Sequence, residues 1–153
     1  MTTRDAQRSR VYTAEDAWAL RLDAARRGAV RAEVAGSSLV LPQELLFGTL
    51  EAAQAYADTH APGVVLRTRK GHRKAHWEPP GTIALPVPEH GQPWAMRESV
   101  LLHELAHHVA FHSHGVADHG PTYRACMLDL VEQQLGPEAA FSLRVAYGEQ
   151  RLV

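Results

Sequence analysis

Two histidines four residues apart, with a glutamate directly after the first, are the residues of this chain best suited to do chemistry: His103-Glu104-Leu105-Ala106-His107. On a helix, positions i and i+4 share one face, so both imidazoles can point at the same ion. The chemistry this spacing suits is hydrolysis at zinc. Zinc takes about four ligands; in a catalytic site one position is typically left for water, whose pKa falls to roughly 7. Glu104 then stands where a general base for that water is needed.

The five-residue pattern alone arises by chance in roughly one of twenty chains of this length and composition, so its surroundings carry weight. They are apolar. Val100, Leu101, Leu102, Leu105, Ala106, Val109 and Ala110 surround the motif nearly all the way round, which predicts a buried helix. Burying two histidines and a glutamate there is costly unless they are paired or hold a metal. Two merely hydrogen-bonded core histidines are the plainer alternative.

A third ligand is required, and the best candidate is His119 in Asp118-His119-Gly120-Pro121-Thr122-Tyr123, a loop-to-helix junction at which the chain can return to the ion. His112 and His114 lie closer in sequence, but the helix carries His112 to another face and His114 into the turn. His108, next to His107, points about 100° away around the helix. Glu132 or Asp129 on the following helix is the other way to complete a two-histidine site, although an exposed face or an outer hydrogen bond is the expected place for both. The chain holds ten histidines, seven of them between His90 and His119, and that clustering is its one compositional oddity.

With both segments in view, the chain resembles the SprT-like (Spartan-type) zincin metallopeptidases, which follow His-Glu-x-x-His with a later His-Gly-x-x-aromatic. The resemblance spans Thr82 to Tyr123, about a quarter of the sequence. It implies an α+β, zincin-like fold: a small, mostly antiparallel sheet packed against helices, one of them the buried motif helix. It also implies one Zn2+ held by His103, His107 and His119, with Glu104 as catalytic base and a peptide or protein as substrate. In such a fold the strand before the motif helix, here Thr82, Ile83, Ala84 and Leu85, is an edge onto which substrate backbone adds as a further strand. An ordinary buried strand is the competing reading, while Pro79, Pro80 and Pro86 around it suit a protected edge.

Tyr123, one turn beyond His119, is a candidate donor to the oxyanion of amide hydrolysis. The related families carry a plain aromatic there, and packing beneath the site is the stronger reading. The loop before His119 and the lack of accessory regions depart from the family pattern. Together with Arg4-Asp5-Ala6-Gln7-Arg8, Val11-Tyr12 and Pro80-Gly81-Thr82-Ile83-Ala84-Leu85-Pro86, the whole chain is also similar to a family of small actinobacterial metallohydrolases whose substrate is not established.

Arg67, Arg69, Lys70, Arg73 and Lys74, with His72 and His76, form an acid-free run able to grip nucleic-acid phosphates or an acidic peptide. Solvated hairpin charge is the commoner explanation, and no zinc finger or basic tail accompanies it. Trp77 beside the run can stack on a base or simply anchor a strand.

The elements that must position these residues are those of an ordinary globular chain. Its 153 residues are 45% apolar and 22% charged, which predicts one folded domain over 1–153. Lysine plus arginine (16) nearly balance aspartate plus glutamate (17), so no whole-chain field draws it to nucleic acid or an anionic membrane. Cys126 is the only cysteine, which excludes an intrachain disulfide and a multi-cysteine zinc site and suits a reducing compartment. A polar N-terminal segment and the lack of any long apolar stretch lead us to expect a cytoplasmic protein with no membrane partner.

Along the chain, capping and periodicity predict a helix over Thr13 to Arg27, a loose hairpin from Val30–Val34 and Leu39–Leu41, and a helix over Thr49 to His60. Short β-type runs at Val64–Lys70, Ala75–Glu78 and Thr82–Leu85 predict a three-stranded meander. A buried helix opening near Trp94 carries the motif, Pro121 begins a helix to about Leu135, and a last helix covers Glu138 to Tyr147. Trp18 and Trp94 are expected in the core. The sequence thus leads to a zinc-dependent metallohydrolase, most simply a metallopeptidase. Hydrolysis of a non-peptide amide or ester, and a non-catalytic metal-binding or regulatory module, are the alternatives. Glu104 argues against the last, because a structural site needs no base.

Overall fold

Local signals place most of the elements in the computed structural model, which describes residues 5–70, 74–86 and 96–152. The described residues form an α+β fold with five helices and two small sheets. The chain divides into two compact units: one runs to Glu44 and resumes at Asp118, and the other is Leu45–Ala117.

In the first unit, α1 (Arg8–Arg26) begins five residues before the expected start, behind a short turn at Ala6 and Gln7. The expected hairpin forms as β1 (Ala32–Val34) and β2 (Ser37–Leu39), paired antiparallel. Its two turn residues, Ala35 (φ 50°) and Gly36 (φ 80°), are both left-handed, the pattern that matches the twist of a two-residue hairpin. α4 (Pro121–Leu135) and α5 (Pro137–Glu149) each open on a proline at N1, where the missing N–H costs nothing. α5 packs against both α1 and α4.

Trp18 is buried in this layer, as expected, and its indole N–H donates to the Ala139 carbonyl at 3.1 Å. Beside it, one carboxylate oxygen of buried Glu15 accepts from the hydroxyls of Tyr123 and Tyr147, each at 2.8 Å. Burial, and then the neighbouring Glu15 charge, push the Tyr147 hydroxyl well above its ordinary pKa. This carboxylate therefore joins α1, α4 and α5 at one point. Glu15→Ala strips two buried hydroxyls of their acceptor, at about 1–3 kcal/mol each. We expect a fall of about 2–5 kcal/mol in unfolding free energy, read from urea melts, and a smaller fall in Glu15→Gln, which keeps an acceptor oxygen.

In the second unit, Thr49 caps α2 (Leu50–His60), its hydroxyl accepting from the Ala52 N–H at 3.1 Å. The strands β3 (Val65–Arg69), β4 (His76–Glu78) and β5 (Thr82–Pro86) form one sheet in the order β3-β5-β4. This corrects the expected meander: β3 and β5 are parallel, and β4 pairs antiparallel on the other side of β5. It also corrects the expected edge. Thr82, Ile83 and Ala84 lie on the central strand between β3 and β4, and Leu85 pairs with Thr68 of β3, so Thr82 to Ala84 present no open edge to a substrate. The physical reason is visible in burial: Ile83, Ala84 and Leu85 are consecutive and all buried, as a strand covered on both faces requires, whereas β3 exposes most of its residues. The outer edge of β3 is partly occupied by the Gln54 side-chain amide, which donates to the Val64 carbonyl and accepts from the Leu66 N–H, both at 2.8 Å.

The motif helix α3 (Glu98–His114) starts later than expected; Trp94 lies outside the described residues. Its first turn is anchored by Glu98, whose carboxylate accepts from the Leu45 N–H at 2.9 Å and from the Tyr56 hydroxyl at 2.5 Å. Antiparallel backbone bonds from Phe47 N–H to the Met96 carbonyl (2.7 Å) and from Glu98 N–H to the Leu45 carbonyl (2.9 Å) fix the approach to that turn. At the other end Gly115, left-handed at φ 68°, closes the helix with bonds back to Phe111 and Ala110. No helix among the described residues is long and apolar enough to cross a membrane.

Candidate metal centre

Every residue from Leu101 to His107 is buried, so α3 hides the motif on all sides, as its composition predicts. His103 and His107 are one turn apart with ring centroids 5.0 Å from each other. Trp77 of β4 stacks over the His107 ring at 6.4 Å and 20°, and packs against Phe111 at 5.2 Å. That contact gives Trp77 a place on the strand and fixes one face of the His107 imidazole. A carboxylate oxygen of Glu104 lies 3.9 Å from His103 Nε2, and Glu104 itself is only 4% exposed.

His119 lies just before α4. Its ring Nδ1 is 2.6 Å from Asp5 Oδ2, and its backbone N–H donates to Asp5 Oδ1 at 3.3 Å. Its carbonyl accepts from the Arg124 guanidinium at 3.0 Å, and the same Arg124 nitrogen donates to the Gln7 side chain. The rings of Tyr12 and Tyr123 sit 5.3 and 5.1 Å from the imidazole. The Asp118 side chain accepts from the Gly120 N–H at 3.0 Å, shaping the turn that leads into Pro121.

One ligand atom from each of His103, His107 and His119 lies within 4.8 Å of the other two, and all three residues are buried. Three imidazole nitrogens so gathered fit a borderline transition ion such as zinc: nitrogen donors suit it, and three protein ligands leave a position for water. Among the described residues this is the one group of three or more histidine, cysteine or acidic side chains able to hold an ion. The other candidates stand elsewhere. Glu132 and Asp129 are exposed on α4. His114 is exposed in the last turn of α3, and the exposed His112 donates to the Pro80 carbonyl. His108 is half-buried near Gly81, where a Cβ would come within 3.0 Å of its ring, and burial followed by the charge of His112 lowers its pKa.

Tyr123 is wholly buried, and its hydroxyl is engaged by Glu15. Of the basic run, Arg67 pairs with Glu78 at 2.5 Å, and Arg69 donates to the Lys74 carbonyl at 3.2 Å. Arg73 and His72 lie outside the described residues. Sequence reasoning missed Asp5, Glu15 and Arg124. Asp5 and Glu15 are more than a hundred residues from their partners along the chain, and no local pattern marks such pairs.

The fold and site thus define an α+β chain with a buried three-histidine centre able to hold a metal ion. No protein-family model, no curated protein and no solved structure matches this chain.

Proposed function

We propose that this chain is a zinc-dependent hydrolase that cleaves peptide bonds. The observation that carries the reading is the convergence of His103, His107 and His119 within 4.8 Å, with the buried Glu104 carboxylate beside His103. A zinc ion, when bound, supplies Lewis acidity that lowers the pKa of water and polarises a carbonyl oxygen.

The remaining chemistry belongs to the protein. The His103 and His107 nitrogens hold one side of the centre because the helix repeats every 3.6 residues, and His119 supplies the third nitrogen. The Glu104 carboxylate takes a proton from the attacking water as its oxygen bonds to the scissile carbonyl carbon. The same carboxyl group then gives that proton to the amide nitrogen as the carbon–nitrogen bond breaks. The Tyr123 hydroxyl, held by Glu15, is given no part in stabilising the oxyanion. Thr82 to Ala84, paired with strands on both sides, are likewise given no part in pairing substrate backbone.

A mixed-sequence peptide library, read by mass spectrometry for new termini, tests the substrate class. Cleavage that stops on chelation and returns on adding zinc is expected. Intact peptides alongside zinc-dependent hydrolysis of simple esters would instead assign the non-peptide acyl reading.

A further inference from the structure

We propose that Asp5 is the positioning residue of the metal centre: its carboxylate holds His119 Nδ1 and so presents Nε2 of the same ring to the ion. The inference rests on the metal reading above and extends it to a residue outside the motif.

His119 is grasped at three points. Asp5 meets both its ring Nδ1 (2.6 Å) and its backbone N–H (3.3 Å), while Arg124 donates to its carbonyl (3.0 Å). Two contacts to one carboxylate fix the ring relative to its own backbone, which a single hydrogen bond to a rotatable side chain would not do. With Nδ1–H donated to Asp5, only Nε2 is left to coordinate, so the tautomer is set along with the orientation. A carboxylate on the far nitrogen also makes the imidazole a stronger donor to a cation.

His103 and His107 are oriented by their place on a buried helix, but His119 comes from a loop junction, where no helical repeat sets the direction of the ring. A ligand on a loop needs an external support, and Asp5 supplies it. The Asp5 side chain is 27% exposed, whereas that of His119 is 7% exposed, so the carboxylate spans from solvent to the buried ring. Gln7, in the same segment, accepts from the Arg124 nitrogen that also donates to the His119 carbonyl, so it belongs to the same cluster. Ser9, exposed on α1 a few residues further on, serves as the internal control.

Zinc affinity of the full chain, measured by competition with a chromogenic chelator, tests the assignment in wild type, Asp5→Ala, Asp5→Asn and Ser9→Ala. We expect one zinc per wild-type chain and affinity about 10–100-fold weaker in Asp5→Ala. Asp5→Asn should lose less, because its amide oxygen still accepts from Nδ1–H, and Ser9→Ala should match wild type. In the zinc-loaded wild type the His119 Nδ1 proton should give a slowly exchanging NMR resonance that Asp5→Ala loses. Wild-type affinity in Asp5→Ala overturns the assignment. An equal loss in Ser9→Ala also overturns it, since any change in the segment would then weaken the site. If Asp5→Ala does not fold, Asp5→Asn against Ser9→Ala decides. A wild-type chain that takes up no zinc removes the metal reading itself, an outcome distinct from a zinc-binding chain indifferent to Asp5.

Discussion

Glu104→Gln is expected to keep the metal and lose turnover by about 10²–10⁴-fold, the usual contribution of a positioned general base. The substitution keeps volume and shape at a site only 4% exposed, so it opens no cavity and displaces neither histidine. What it removes is the ability to take and return a proton, since an amide oxygen is too weak a base. The carboxylate lies 3.9 Å from His103 Nε2, and its replacement by an amide of the same size is expected to leave that ring in place. Turnover on a cleaved peptide, followed with metal content in the same sample, makes the comparison. Loss of activity with the metal retained supports a base; activity close to wild type would reject Glu104 as that base.

His107→Ala is expected to do the opposite, emptying the site and abolishing turnover together. Losing an outer hydrogen-bond partner costs about 10–100-fold in metal affinity, and losing a direct ligand should cost more than that. The imidazole also lies under Trp77, so the alanine leaves a gap beside the indole as well as a missing nitrogen. His107→Gln separates the two effects, because it refills most of the space without restoring the ring. Both variants should lose the ion, and only His107→Ala should show an added loss of stability without metal. Chelator competition and urea melts read the two quantities.

Which features were legible in the sequence follows from how local their causes are. The helix expected from Thr49, the turn expected between Val34 and Leu39, and Pro121 at the head of a helix rest on signals that act over a few residues, and each of these elements begins within two residues of the expected place. The motif spacing is likewise a property of one helix, and the loop-to-helix junction makes His119 the candidate third ligand. Strand order is different, because β3 pairs with β5 across the whole intervening β4 segment. The consecutive burial-prone Ile83, Ala84 and Leu85 did carry the mark of a central strand, but flanking prolines argued for an edge. Asp5 and Glu15 are polar residues whose meaning comes only from partners 114, 108 and 132 positions away, and nothing in their neighbourhood announces it.

Metal binding and hydrolysis as proposed both require the three histidines to act together on one ion. Metal content of the gently purified wild-type chain, by inductively coupled plasma mass spectrometry, tests this most directly. One equivalent of zinc per chain, absent from His107→Ala prepared in parallel, is the predicted result. A folded wild-type chain with no stoichiometric metal, and none taken up on adding zinc, would contradict it.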